Sequence, residues 1–130
     1  MAYEIPKLVI SLKAGADLSA HQYKCMKLDA NGDAVITAAA TDIPVGILQN
    51  KPDAAGKAAE IMVVGVSKVN QDADLTIGDL IGTSADGQLA KKTVGTDTTN
   101  YVIGQLLEDG GAAAAIGTAL INCLNPHRAA

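Results

Sequence analysis

The side chains that most often move protons, attack electrophiles or hold metals are few in this 130-residue sequence: two histidines, His21 and His127, and two cysteines, Cys25 and Cys123. Neither histidine has a partner at His-x-x-x-His or Cys-x-x-Cys spacing, so each reads as a solvated or locally capping imidazole. The cysteines lie far apart, each within an apolar strand-like stretch, the pattern of reduced buried thiols rather than of a metal site or a disulfide. Acidic residues stand singly, mostly beside Gly, Asn, Ser or Thr, as at Asp33, Asp42, Asp86 and Asp97. That is turn chemistry, because a short carboxylate accepts hydrogen bonds from the backbone that follows it. Asp72-Ala73-Asp74 begins like a calcium loop but lacks the later bidentate Glu. Gly56-Lys57 has Lys51 where a phosphate-binding loop needs Gly, and Ala58 where it needs Ser or Thr. No acid, base and nucleophile can be assembled, so the expectation is a protein that is not an enzyme and uses neither metal nor cofactor.

Hydrophobic residues make up 48% of the chain, yet Phe and Trp are absent and Tyr occurs three times, so the core must be built from Ile, Leu, Val and Ala. Burial at about 25 cal/mol per Å² gives such thin side chains a narrow margin, which association between subunits would supplement. The net charge is −4, with no basic run. Lacking both phosphate-neutralising charge and aromatic stacking platforms, the chain is not expected to bind nucleic acid. No apolar run reaches the ~20 residues of a membrane span. Met1-Ala2-Tyr3-Glu4-Ile5-Pro6-Lys7 does not have the basic-then-apolar layout of a signal peptide, so synthesis and retention in the cytoplasm are expected unless the protein leaves as part of a larger particle.

Short apolar stretches bounded by Gly, Asn and Asp point to an all-β chain. Two hairpins stand out. Tyr23 to Leu28 and Ala34 to Thr37 flank Asp29-Ala30-Asn31-Gly32-Asp33, and Leu80 to Ser84 and Gln88 to Lys92 flank Ala85-Asp86-Gly87. In each, the turn holds a Gly able to take positive φ. They belong to an internal repeat. Ala16-Asp17-Leu18-Ser19 returns as Ala73-Asp74-Leu75-Thr76, the hairpin glycines are Gly32 and Gly87, and Pro44-Val45-Gly46-Ile47-Leu48-Gln49 is echoed around Gly104 by Val102-Ile103-Gly104-Gln105-Leu106-Leu107. Thr41-Asp42 and Thr96-Asp97 precede these echoes, and Ala/Gly-rich loops, Lys51 to Ala58 and Asp109 to Ala115, follow them.

The sequence therefore predicts one compact β domain, 16–125, made of two strand-hairpin-strand copies at about 8–66 and 61–124 that share a strand. Neither copy is large enough to bury both faces of its strands, so the two are expected to pack around one shared core as a closed or nearly closed barrel. The doubly apolar run Ile61, Met62, Val63, Val64, Val66 should be central. Residues 1–15 form an extended N-terminal arm and first strand, and 126–130 a C-terminal tail beginning at Pro126. The arm reads equally as a segment that orders on a partner or as a frayed end, and the tail as a surface contact or a solubilising end.

Pro44 to Gln49, Val63-Val64-Gly65-Val66, Ala73 to Thr76 leading into Gly78-Asp79-Leu80-Ile81-Gly82, Ala85-Asp86-Gly87, and Ile121 to Arg128 together resemble the small capsid decoration, or cement, proteins of tailed bacteriophages, lambda-type among them. The likeness runs from about Tyr23 to Arg128 and fades over the arm. It implies a β-barrel or β-tulip subunit that sits as a homotrimer on the outer surface of the expanded capsid. There it would bridge copies of the major capsid protein and stabilise the head against internal DNA pressure, after assembly in the bacterial host cytoplasm. It also implies an arm, Ala2 to Lys7, that orders on the capsid. The contact residues expected on this basis, and from their place outside the repeats, are Tyr3, Glu4, Ile5, Pro6, Lys7, His127 and Arg128.

Two other readings share the fold class. A phage head-fibre or receptor-like module, or a carbohydrate-binding β module, would equally lack catalytic motifs, although a sugar site has only Tyr3, Tyr23 and Tyr101 to draw on. A trimeric β-fold hydrolase would need an acid, a base and a phosphate cradle that the sequence does not supply.

Overall fold

The structure, a computed structural model, describes residues 2–130. Their elements in chain order are β1 (Ile5–Lys13), β2 (Cys25–Leu28), β3 (Ala34–Ile36), β4 (Gly46–Leu48), β5 (Ala58–Asn70), β6 (Leu80–Thr83), β7 (Leu89–Lys91), β8 (Tyr101–Val102), β9 (Gly104–Glu108), β10 (Ile116–Asn122) and β11 (His127–Arg128). No helix occurs among the described residues, and the Ala-rich loops are irregular rather than helical. One antiparallel sheet runs β3-β2-β4-β5-β10-β9-β6-β7, with β1 also on β5, and curls into a half-barrel. Strands β8 and β11 pair as a separate two-stranded ribbon.

The two copies pair their strands in the same order, with matching register at several positions. In the first copy β1, β5, β4, β2 and β3 are successive neighbours; in the second the end of β5 takes the part of β1, and β10, β9, β6 and β7 follow. Leu12 opposite Ala59 becomes Val69 opposite Gly117, Ile47 opposite Met62 becomes Gln105 opposite Leu120, and Met26 opposite Ile36 becomes Ile81 opposite Lys91. Each copy is closed by one parallel bridge, Ala14 to Ala34 and Gln71 to Leu89. Even the loop turns correspond: Gly56 N–H donates to Ala14 O and Ala114 N–H to Gln71 O, each at 2.8 or 2.7 Å. Both donors take positive φ, 88° for Gly56 and 63° for Ala114.

The hairpins form where expected. Asp29 Oδ1 accepts from Asn31 N–H and Asp33 N–H, both at 2.9 Å, and Gly32 has φ 80°. Strand β5 is buried on both faces, with Ile61 and Met62 fully covered, as its apolar run predicts.

The core departs from the expectation of one shared interior. Ala14, Leu18, Met26, Ala34, Leu48, Ala59 and Ile61 form one cluster inside the first copy. A second joins Val69, Leu75, Ile81, Leu89, Leu106, Ala119 and Ile121 of the second copy to Cys25, Ile47 and Met62 of the first. Alternation along a strand sends neighbouring side chains to opposite faces, so β2, β4 and β5 line their own copy with Met26, Leu48 and Ile61 and plug the other copy with Cys25, Ile47 and Met62.

At the N-terminal end, Ile5 and Pro6 already pair with Val66 and Gly65, which leaves Ala2, Tyr3 and Glu4 as the only described part of the arm outside a strand. Pro6 is tolerated because β1 is an edge strand, and Gly65, at φ 139°, has no Cβ to strike Ile5 O, which would lie 2.6 Å away. The tail is likewise docked: His127 pairs with Val102 and Arg128 with Tyr101, and Ala129 is buried with its N–H on Asn100 O at 3.0 Å.

Candidate interaction surface

Directly opposed residues of antiparallel strands project from the same face of a sheet. The observed register therefore defines a row across five strands: Ile5 on β1, Val66 on β5, Leu120 on β10, Gln105 on β9 and Leu80 on β6. The row faces away from both core clusters, with Ile5 60% exposed, Leu120 48% and Leu80 37%. Leu8, Val64 and Asn122 flank it on one side, and Lys68 and Thr118 on the other. Tyr3 lies over this second flank, where its backbone N–H donates to Thr118 Oγ1 at 3.1 Å. The Glu4 carboxylate is 3.8 Å from the Lys68 ammonium, so the charges at this margin neutralise each other.

Toward β6 the face sinks into a groove of about 260 Å³ lined by Leu80, Val102, Gln105, Leu120, Asn125 and His127. Its floor is aliphatic and its rim offers amides and one imidazole. Such a surface can bury an apolar side chain and hydrogen-bond a backbone, but it presents no carboxylate or ammonium to a charged ligand.

Of the residues singled out in the sequence, Ile5 lies in the exposed row and His127 in the groove, so opposite ends of the chain reach one face. Tyr3 and Glu4 border it, Pro6 sits opposite Gly65, and Lys7 falls at a register irregularity between Pro6 and Leu8. Arg128 stands apart, its guanidinium 5.7 Å from the centre of the Tyr101 ring on the β8–β11 ribbon. Leu80, Gln105 and Leu120 were missed by motif reading. Their signal was an apolar residue at an outward position of the last long strand, visible only once the register is known.

The groups with chemical potential are dispersed or quenched. Cys25 is fully buried and both thiols are free. Burial pushes the Cys123 thiol up to about 12, and burial followed by the neighbouring Cys123 pushes Cys25 up further still. His21 Nδ1 is buried with no hydrogen-bond partner, and burial, then the charge of Lys24, lowers the imidazole pKa, which favours its neutral form. Asp74 and Asp109 share a hydrogen bond that raises Asp74; Asp109 is lowered by the Gly111 N–H and then by Gln71. Among the described residues no group of three His, Cys, Asp or Glu side chains is placed to hold a metal. Lys92 is a buried cation that the sequence did not announce: it is 6% exposed, and its ammonium donates to Asn100 Oδ1 at 2.9 Å, tying β7 to the loop before β8.

The chain is an all-β half-barrel of two repeats, and that fold has a counterpart among solved structures. The crystal structure of the head fiber gp8.5 N base of bacteriophage phi29 matches it with a TM-score of 0.67, covering 89% of this chain and 96% of that one at 18% sequence identity. No family model matches the sequence, and no curated protein does either.

Proposed function

We propose that the chain is a structural, non-enzymatic protein of a tailed-phage head that decorates the outer surface of the expanded capsid. In this reading it acts as a homotrimer, contacts the major capsid protein and stabilises the shell against the pressure of packaged DNA. The observation that carries the reading is the match of the two-repeat half-barrel, over 89% of the chain, to the base of a phage head fibre. The resemblance of Pro44 to Gln49 and Ile121 to Arg128 to decoration proteins points the same way.

The physics of the surface agrees with a cement. A short contact from each subunit is weak, and a trimer engaging several capsid subunits turns weak contacts into avidity, because later contacts form at high effective concentration. A net charge of −4 also keeps such a subunit from trapping DNA. Tyr3 to Lys7, at the start of an edge strand, would provide the capsid contact, and His127 in the groove and Arg128 on the β8–β11 ribbon would add contacts from the other end of the chain. Assembly would take place in the bacterial host cytoplasm, and the working location would be the outside of the virion.

A second reading, that the chain is itself the base of a head fibre, is favoured by the description of the matching structure. Co-sedimentation separates the readings. Purified protein is mixed with unexpanded and expanded heads prepared without it, and the pelleted stoichiometry is measured. A decoration role predicts saturation on expanded heads at copies in multiples of three per local symmetry axis; a fibre base predicts a small number of copies per head; binding to neither shell contradicts both.

A further inference from the structure

The repeat equivalence makes a prediction about the exposed row that neither copy makes alone. In the first copy the outward row is Cys25, Ile47 and Met62, consecutive partners across β2, β4 and β5, and all three are fully buried. Its counterpart in the second copy, strand for strand and register for register, is Leu80, Gln105 and Leu120. The first row is covered because it plugs the mouth of the second copy, joining Val69, Leu75, Ile103 and Leu106 in one cluster. The second row is open.

The receiving side shows the same asymmetry. Val69 and Ile103, at the plugged mouth, are 0% and 2% exposed. Their counterparts Leu12 and Val45 are only partly buried, and with Ile10 they form the incompletely covered side of the first cluster. Gly87 tells the same story from the backbone. A Cβ there would meet Ile36 of the first copy at 2.6 Å, whereas at its counterpart Gly32 nothing lies within 4 Å. Each chain thus carries one plug-and-mouth contact made internally, one unused plug and one unused mouth.

We propose that the Leu80–Gln105–Leu120 row of one subunit packs into the Leu12–Val45 mouth of a second copy of this chain, repeating between subunits the contact that the two copies make within one. The contact is head-to-tail, so it joins unlike surfaces and closes into a ring when the rotation per subunit permits. It deepens the homotrimer reading and rests on it for the number of subunits, but not on the capsid partner. The row is less apolar than its internal counterpart, with Gln105 in place of Ile47. The Gln105 amide is already engaged, donating to Gly78 O at 3.0 Å, which leaves its stem to pack. A contact between subunits that is weaker than the internal one follows.

The test uses the full chain, without heads. Leu120→Glu disables the plug at an exposed position, and Val45→Glu disables the mouth; Leu12→Lys serves as a second mouth variant should Val45→Glu fail to fold. Sedimentation equilibrium is expected to give a trimer for the unaltered chain and folded monomers for each variant. An equimolar mixture of plug and mouth variants should then form one-to-one dimers and nothing larger, because a single intact plug-mouth pair remains. A trimer that survives Leu120→Glu, an unaltered chain that stays monomeric, or a mixture that stays monomeric overturns the proposal. Head binding is scored separately. A trimer that loses its mass with Leu120→Glu yet never binds heads leaves this contact standing and removes the capsid role. Heads that bind Leu120→Glu in threes as tightly as the unaltered chain keep the capsid role and remove this contact.

Discussion

Gly65 and Asp42 carry more of the structure than their size suggests. Gly65 holds φ 139° beneath the crossing of Pro6, where a side chain would be strained by the backbone and blocked by Ile5 O and Lys7 N–H. Gly65→Ala should cost about 2 kcal/mol in urea unfolding. Gly32→Ala, at φ 80° in open space, should cost about 1 kcal/mol. Equal losses would mean that the approach of β1 contributes nothing. For Asp42, burial would raise the carboxyl, but the N–H of Ala38, the ammonium of Lys27 and the N–H of Ala39 outweigh it and hold the pKa below the ordinary value. A depressed carboxyl stabilises the fold above the unfolded pKa, about 4, and that stability is lost as pH falls through the lower, folded value. Asp42→Asn should therefore be about 1 kcal/mol less stable at neutral pH and nearly indistinguishable from the parent near pH about 2. A difference that persists unchanged in acid would show that the charge is not what holds this loop.

At the scale of elements, Gly46 and Gly104 explain why the repeat keeps a glycine in its fourth strand. A Cβ at Gly46 would collide with Met62 O, and one at Gly104 with Leu120 O, the same contact in each copy. Gly46→Ala and Gly104→Ala should each destabilise by about 2 kcal/mol or more through overpacking. Circular dichroism thermal melts would check it, and an unchanged melt for either would dissolve the equivalence at that strand. The repeat, both hairpins and the buried β5 were legible in sequence because each rests on local signals: turn glycines, Asp side chains that cap turns, and a doubly apolar run. The pairing of the chain ends was not legible: the arm joins β5 from Ile5 onward, where an edge strand tolerates the N–H missing at Pro6, and β11 needed only β8 to pair with, a partner no local pattern reveals. The interaction face was illegible for a related reason: Leu80, Gln105 and Leu120 are far apart in sequence and meet only through register.

For the whole molecule, the sheet leaves β1 paired on one side only, with Pro6, Lys7 and a register shift along it. Those are the devices by which proteins keep an edge from pairing indiscriminately. In the proposed trimer, a neighbouring copy would cover the uncharged row and fill the open mouth. On a phage shell the assembled trimer would bind where capsid expansion creates its site. The measurement that tests this most directly is a cryo-electron microscopy reconstruction of expanded heads incubated with the purified chain. The account predicts three half-barrels around each occupied local three-fold axis on the outer surface, with Tyr3 to Lys7 against the capsid protein. A shell with no added density, or with subunits bound away from any three-fold axis, would contradict it.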